Sequence, residues 1–236
     1  MSPLHRWIWR DPARRARKLL RFSATEADGA TQLARAAERT SDARLRRLLL
    51  RHASDEERHA RCFRTRALEL GRRLPAGWAS GRDPDLLAPG ERGLEALRVD
   101  DVSLPTLLAF LHLSERAAAE RFAAYRKVLA KVDPETSALF ADVLDDEVFH
   151  MRYTETQLRR IAGPHHRRQL WLARMTRLWR AYLGLATAVA AVIGTLVLTL
   201  QYFLVVPLFV VLLRRSARAQ RPGFVTAQRR RLESQY

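Results

Sequence analysis

From Ser23 to Ile161, apolar residues recur every three or four positions, the period of a helix with one buried face, and no alternating run long enough for a strand interrupts them. Four segments carry this pattern. The first opens near Ser23, where Ser23 and Glu26 have the spacing of a capping box, and runs to the Thr40-Ser41-Asp42 cluster. The second runs from Asp42 to Leu70 and stops at Gly71, a residue suited to the C′ position. The third starts at Ser103, with Pro105 in its first turn, and ends near Lys131. The fourth opens on Asp133-Pro134-Glu135, which supplies a cap, a proline and an acidic first turn, and ends at Gly163-Pro164. Residues 71–102, rich in proline and glycine, read as an irregular crossover with one short helix near Glu91–Val99. The crossover is long enough to run the height of a bundle, so the pattern predicts two antiparallel hairpins in an all-α fold.

The apolar stripes are interrupted at matching places. On the second helix the inward series Leu45, Leu49, His52, Glu56, His59, Phe63, Leu70 contains a carboxylate and an imidazole three apart, which leave the same helix face and can reach one metal ion. A mixed carboxylate and imidazole set suits iron or manganese better than calcium, which takes oxygen alone. The motif is written twice, as Asp55-Glu56-x-x-His59 and Asp146-Glu147-x-x-His150, and each copy follows an upstream glutamate, Glu26 or Glu115. Glu26 could simply cap its own helix, yet it shares a face with Ala30 and Leu33, and Glu115 interrupts the stripe of Leu108, Leu111 and Phe122. Counted back from the turns near residues 41 and 132, all six side chains sit about 15–18 residues away, level to within about one helical turn. A generic bundle does not require that coincidence. His52 and His112, one turn from these positions, could tune the site, although a structural role is preferred for both, and Tyr125 and Tyr153 read as packing residues.

Composition changes the picture in two places. Cys62 is the single cysteine, which excludes an internal disulfide and any cysteine-built zinc or iron–sulfur site. Of the 42 basic residues 39 are arginine, and the net charge of +17 is uneven: residues 161–236 carry 12 basic residues against one acidic residue, Glu233. Residues 1–22 mix Trp7, Ile8, Trp9, Leu19, Leu20 and Phe22 with basic side chains, either an arm for an acidic lipid surface or one packed on the bundle, and no signal peptide is expected there.

After Pro164 the chain turns basic and aromatic through His165, Arg167, Trp171, Arg177 and Trp179, as an interfacial helix would. Tyr182 to Leu213 then gives 32 positions without a charge, more than the roughly 20 needed to cross a bilayer. One long span, kinked at Pro207, is preferred to a membrane hairpin bent near Gly194. Arginines flank both ends in equal number, so the positive-inside rule gives no orientation. The expected division is a basic amphipathic arm (1–22), the four-helix bundle (23–162), a basic interfacial linker (163–181), a transmembrane segment (182–213) and a basic tail (214–236).

Glutamate on two helices and Glu-x-x-His on the other two is the di-iron carboxylate arrangement, and residues 23–161 resemble the ferritin-like superfamily, in the style of rubrerythrin and bacterioferritin. The resemblance implies a ferritin-like four-helix bundle followed by a transmembrane helix. It implies two iron ions, with manganese as the alternative, bridged by Glu56 and Glu147. Glu26 and His59 would be terminal on one ion and Glu115 and His150 on the other, with Asp55 and Asp146 orienting the histidines. The implied activity is oxidation of Fe(II) or reduction of peroxide or dioxygen, with an external electron donor because no cysteine-rich electron-transfer domain is present. Two other readings stay open: hydroxylation of a lipid-soluble substrate such as a quinone, and iron binding or tethering without turnover. Leu33 and Phe122 stand where some relatives carry a tyrosine, which counts against a tyrosyl radical. The expected surroundings are membrane lipid of the cell inner membrane, with the bundle in the cytoplasm. A homodimer is compatible with this, and nucleic acid is disfavoured because the basic tail adjoins the apolar segment.

Overall fold

The computed structural model describes residues 9–78 and 99–219, all helices, turns and connections with no strand among them. The short helix expected near Glu91–Val99 falls, apart from Val99, outside the described residues, as do the extreme N-terminus and most of the basic tail. Four long helices come first: α1 (Pro12–Arg39), α2 (Ala43–Gly71), α3 (Leu104–Leu129) and α4 (Pro134–Ala162). The helices α1 and α2 pair along their lengths, α3 and α4 do the same, and α2 meets α4 across the two hairpins.

Helix α1 starts at Pro12, not near Ser23. Asp11 caps it, its Oδ1 accepting from the Arg14 amide at 2.7 Å, and Pro12 occupies the first turn, so a cap and proline pair upstream overrides the Ser23–Glu26 box. Ser23 is buried inside the helix, and Glu26 is free of any capping duty. The extra turns carry Ala16 and Leu19 into the core, and Trp9 joins them at 1% exposure against Tyr125 and Phe140, its ring centroid 4.8 and 5.6 Å from theirs. These side chains therefore face protein, not a lipid surface.

The other three caps lie where the sequence places them. Asp42 Oδ1 accepts from the Leu45 amide at 3.0 Å, Ser103 caps α3 at Thr106, and Asp133 Oδ1 accepts from the Thr136 amide at 3.1 Å. Gly163 ends α4 at φ 52°, in the region that favours glycine. Gly71 has a different reason from the expected one. It lies within the helix, the cap falls to Arg72 in right-handed conformation, and a Cβ on Gly71 would run into the Trp78 indole. Gly71→Ala should therefore lower stability by about 1–3 kcal/mol through overpacking, against a helix-propensity gain of about 1 kcal/mol. Chemical denaturation reads the net sign, and Trp78→Leu in the same background should restore it.

The core is split. Leu33, Leu45, Leu49, Leu108, Leu111 and Leu158 form one apolar cluster. Leu19, Phe63, Phe122, Leu129, Phe140 and Trp9 form the other. Along every helix the candidate ligands fall between the two clusters, so a polar layer is held in register by apolar packing on both sides.

The chain divides into two compact units, 1–177 and 178–236. Helix α5 (His166–Leu200) begins in the first, where Leu170 and Ala173 join the leucine-rich cluster. In the second unit α5 continues into a π-helical segment (Gln201–Val205) and α6 (Val206–Ala219). Gly194 lies inside α5 without a turn, so the chain does not bend into a hairpin there. The π segment ends two residues before Pro207, which cannot donate to the Phe203 carbonyl and crowds it; the wide turn absorbs that defect. This run contains one helix long and apolar enough to cross a membrane, and its large apolar side chains, Leu185 and Phe203 among them, stay exposed.

Candidate metal centre

The polar layer draws on all four long helices: Glu26 from α1, His52, Glu56 and His59 from α2, Glu115 from α3, and Glu147 and His150 from α4. Glu26 is half-buried and the other six are buried, the three histidines completely. Ligand-type atoms gather in two groups, each within 4.8 Å: Glu26, Glu56 and His59 in one, and His52, Glu56, Glu115 and His150 in the other. Glu56 belongs to both. Glu147 stands beside the second group without completing it, its Oε2 3.9 Å from His150 Nδ1. The structure thus yields a buried cluster of histidine and glutamate that could bind metal.

Outer carboxylates fix which ring nitrogens face inward. His59 Nε2 lies 3.1 Å from Asp146 Oδ2, and His150 Nε2 lies 3.2 Å from Asp55 Oδ2. An ionised carboxylate only accepts, so each Nε2 carries the proton and each Nδ1 turns a lone pair toward the glutamates. The pairing is crossed, since the aspartate beside each motif holds the histidine of the other hairpin. Arg58 ties the two aspartates together, paired with Asp146 and 4.0 Å from Asp55. Four inward atoms are left buried without any hydrogen-bond partner: Nδ1 of His59 and of His150, and Oε2 of Glu56 and of Glu147. Buried polar atoms are seldom left so, and converging lone pairs are what a cation would satisfy.

Electrostatics point the same way. Burial, then the charge of Glu56, pushes the Glu26 carboxyl well above the carboxylate range. Burial with Glu115 and Glu56 does the same to Glu147, and burial with Glu56 raises Glu115. Burial would raise Glu56 too, but Glu26, His52 and His59 outweigh it and hold that carboxyl well below the usual range. Burial, aided by the adjoining His52, lowers His150 to about 2, so its imidazole is neutral and available as a ligand. Four carboxyl groups this close cannot all ionise unless positive charge enters among them. The residues fit a pair of divalent cations.

His52, for which the sequence favours a structural role over a tuning one, and Tyr153, read as packing, both belong to the layer. His52 Nε2 donates to Glu56 Oε1 at 3.0 Å and stands 3.6 Å from Glu115 Oε1, while its ring stacks on His150 with centroids 3.6 Å apart. Its Nδ1 then accepts from the Tyr153 hydroxyl at 2.7 Å, which places Tyr153 behind the cluster. The available signal was position: His52 precedes Glu56 by four residues on the same stripe. His112, by contrast, is structural, its Nδ1 donating to the Met151 carbonyl at 3.1 Å.

A scan against protein-family models and searches of curated proteins and of solved structures give no match.

Proposed function

We propose that this chain is a membrane-anchored di-metal oxidoreductase of the ferritin-like kind, holding two iron ions, or manganese, and reacting with dioxygen or peroxide. The observation that carries the reading is the set of four buried, unpartnered atoms on Glu56, His59, Glu147 and His150. Glu26, Glu56 and His59 would hold one ion, and Glu56, Glu115 and His150 the other, with Glu147 beside them. Bound iron would supply one-electron redox steps and open coordination positions for dioxygen or peroxide. The protein's own part is to arrange and shield. Asp146 and Asp55 hold the imidazoles in the ligating tautomer, His52 steadies Glu56, and the apolar clusters on either side keep bulk water out. The long apolar helix supports the membrane anchor.

The test uses the full chain in detergent. Metal-free protein titrated with Fe(II) without oxygen should bind two ions per chain. On admitting air it should consume dioxygen as near-ultraviolet absorbance rises, and Glu147→Gln should reduce both binding and consumption. Iron bound without oxygen or peroxide consumption would favour a storage or tethering role, and turnover only with added quinone would favour a hydroxylase. Failure to bind iron, manganese or zinc would remove the reading altogether.

A further inference from the structure

On the face where α2 meets α4, a groove of about 460 Å3 opens beside the buried cluster. Arg44, Arg47 and Arg51 enter it from α2, and Arg152 enters it from α4. Among the described residues no carboxylate lines it. Among the described residues Arg44, Arg47 and Arg152 make no ion pair, although arginines nearby do: Arg159 with Glu155 at 2.6 Å, and Arg160 with Asp42. In the groove Arg44, Arg47 and Arg152 are thus left without a carboxylate partner among the described residues.

The groove also has a flat apolar wall. The Arg51 guanidinium lies 4.0 Å over the Phe149 ring, and the phenol of Tyr153 lines the groove with its hydroxyl turned inward to His52. Guanidinium groups recognise carboxylate and sulfonate oxygens with two donors at once, and they stack on aromatic planes. A guanidinium already resting on a phenyl ring marks the place where a further planar group can join the stack. The volume lies in the range of small-molecule sites, roughly 300–1,000 Å3, which favours a small ligand over a protein surface.

We infer that this groove is a binding site for a small aromatic acid, its carboxylate or sulfonate held by Arg47 and Arg152 and its ring stacked on the Arg51 guanidinium that rests on Phe149. A ligand seated there touches Tyr153, which is hydrogen-bonded to His52, itself hydrogen-bonded to the Glu56 shared by both ligand groups. That position ties the groove to the proposed centre, but the binding needs no metal.

Titration calorimetry on the metal-free, detergent-solubilised full chain tests this with naphthalene-2-carboxylate as the probe, against a protein-free micelle blank. Arg47→Ala and Arg152→Ala should each weaken binding about tenfold, the loss of a charge-assisted contact, and Phe149→Leu should weaken it about fivefold. These are surface or half-buried positions, so circular dichroism should show the folds intact. Arg159→Ala, on the same helix but paired with Glu155, should leave the affinity unchanged. Neutral naphthalene-2-methanol binding as tightly would overturn the inference, as would unchanged affinity in the Arg47→Ala, Arg152→Ala double variant. Inorganic phosphate competing as strongly as the probe would also overturn it, by showing a patch that reads charge and ignores the ring. Because the assay contains no metal, its failure leaves the di-metal reading standing, and failure of that reading leaves the groove standing.

Discussion

Saturating Fe(II) or Mn(II) should raise the melting temperature of the metal-free protein on the order of 10 °C, and Glu56→Gln should lose nearly all of that gain. The magnitude follows from linkage: an ion at one hundred times its dissociation constant stabilises by about 2.7 kcal/mol, and two ions by about twice that. A domain of this size shifts by about 2–4 °C per kcal/mol. Glu56 is the residue to change because it belongs to both ligand groups, so losing its charge removes a strong donor from each. Glu115 belongs to one group only, and Glu115→Gln should keep about half the shift. Without metal, Glu56→Gln should melt close to wild type, because the amide oxygen still accepts from His52 Nε2 and a buried charge is gone. A variant that melts early with and without metal would mean that Glu56 serves the core alone. A wild type indifferent to every divalent ion would sink the centre.

The buried layer of histidine and glutamate was legible because helices are periodic: the three-residue step from Glu56 to His59, repeated from Glu147 to His150, fixes a shared face without any knowledge of the fold. Caps built from adjacent residues, as at Asp42 and Asp133, were legible for the same reason. The capping box at Ser23 is local and is overridden by the Asp11-Pro12 pair twelve residues earlier, which does the same work and lets the helix bury Leu19. Gly71 is a different case. Its neighbour is the Trp78 indole, brought back by a turn, and no local rule distinguishes a glycine that ends a helix from one that admits a ring. The crossing of Asp55 to His150 and Asp146 to His59 depends on how the hairpins face each other, and spacing along one helix says nothing about that. His52 lay in between: its stripe placed it inward, but only the Tyr153 hydroxyl on one nitrogen and Glu56 on the other show which way it works.

The largest loss outside the ligand layer is expected at Asp133, whose carboxylate joins three helices at one buried point. Oδ2 lies 3.0 Å from Arg15 Nε of α1 and accepts from the Thr136 hydroxyl at 2.6 Å, while Oδ1 accepts from Arg66 of α2 at 2.7 Å and from the Thr136 amide. Both Asp133 and Arg15 are buried, and Arg15 also donates to the Trp9 carbonyl at 2.8 Å. Asp133→Ala removes the cap of α4 and strands a buried guanidinium, which together should cost about 3–5 kcal/mol. Asp133→Asn keeps an acceptor for the Thr136 amide and removes only the charge, so the difference between the two variants measures the cap, about 1 kcal/mol. The charge carries its own pH signature. Burial would raise the Asp133 carboxyl, but Thr136 and Arg66 outweigh it and hold it below the ordinary range. A folded-state value below the unfolded one, near 3.9, gives stability that is complete above that pH and lost as the pH falls through the folded value. The gap between wild type and Asp133→Asn should therefore be full at neutral pH and close progressively below about pH 4. Denaturant midpoints measured down to pH 2 read it directly, and a gap of constant size across that range would falsify the ionic account while leaving the cap intact.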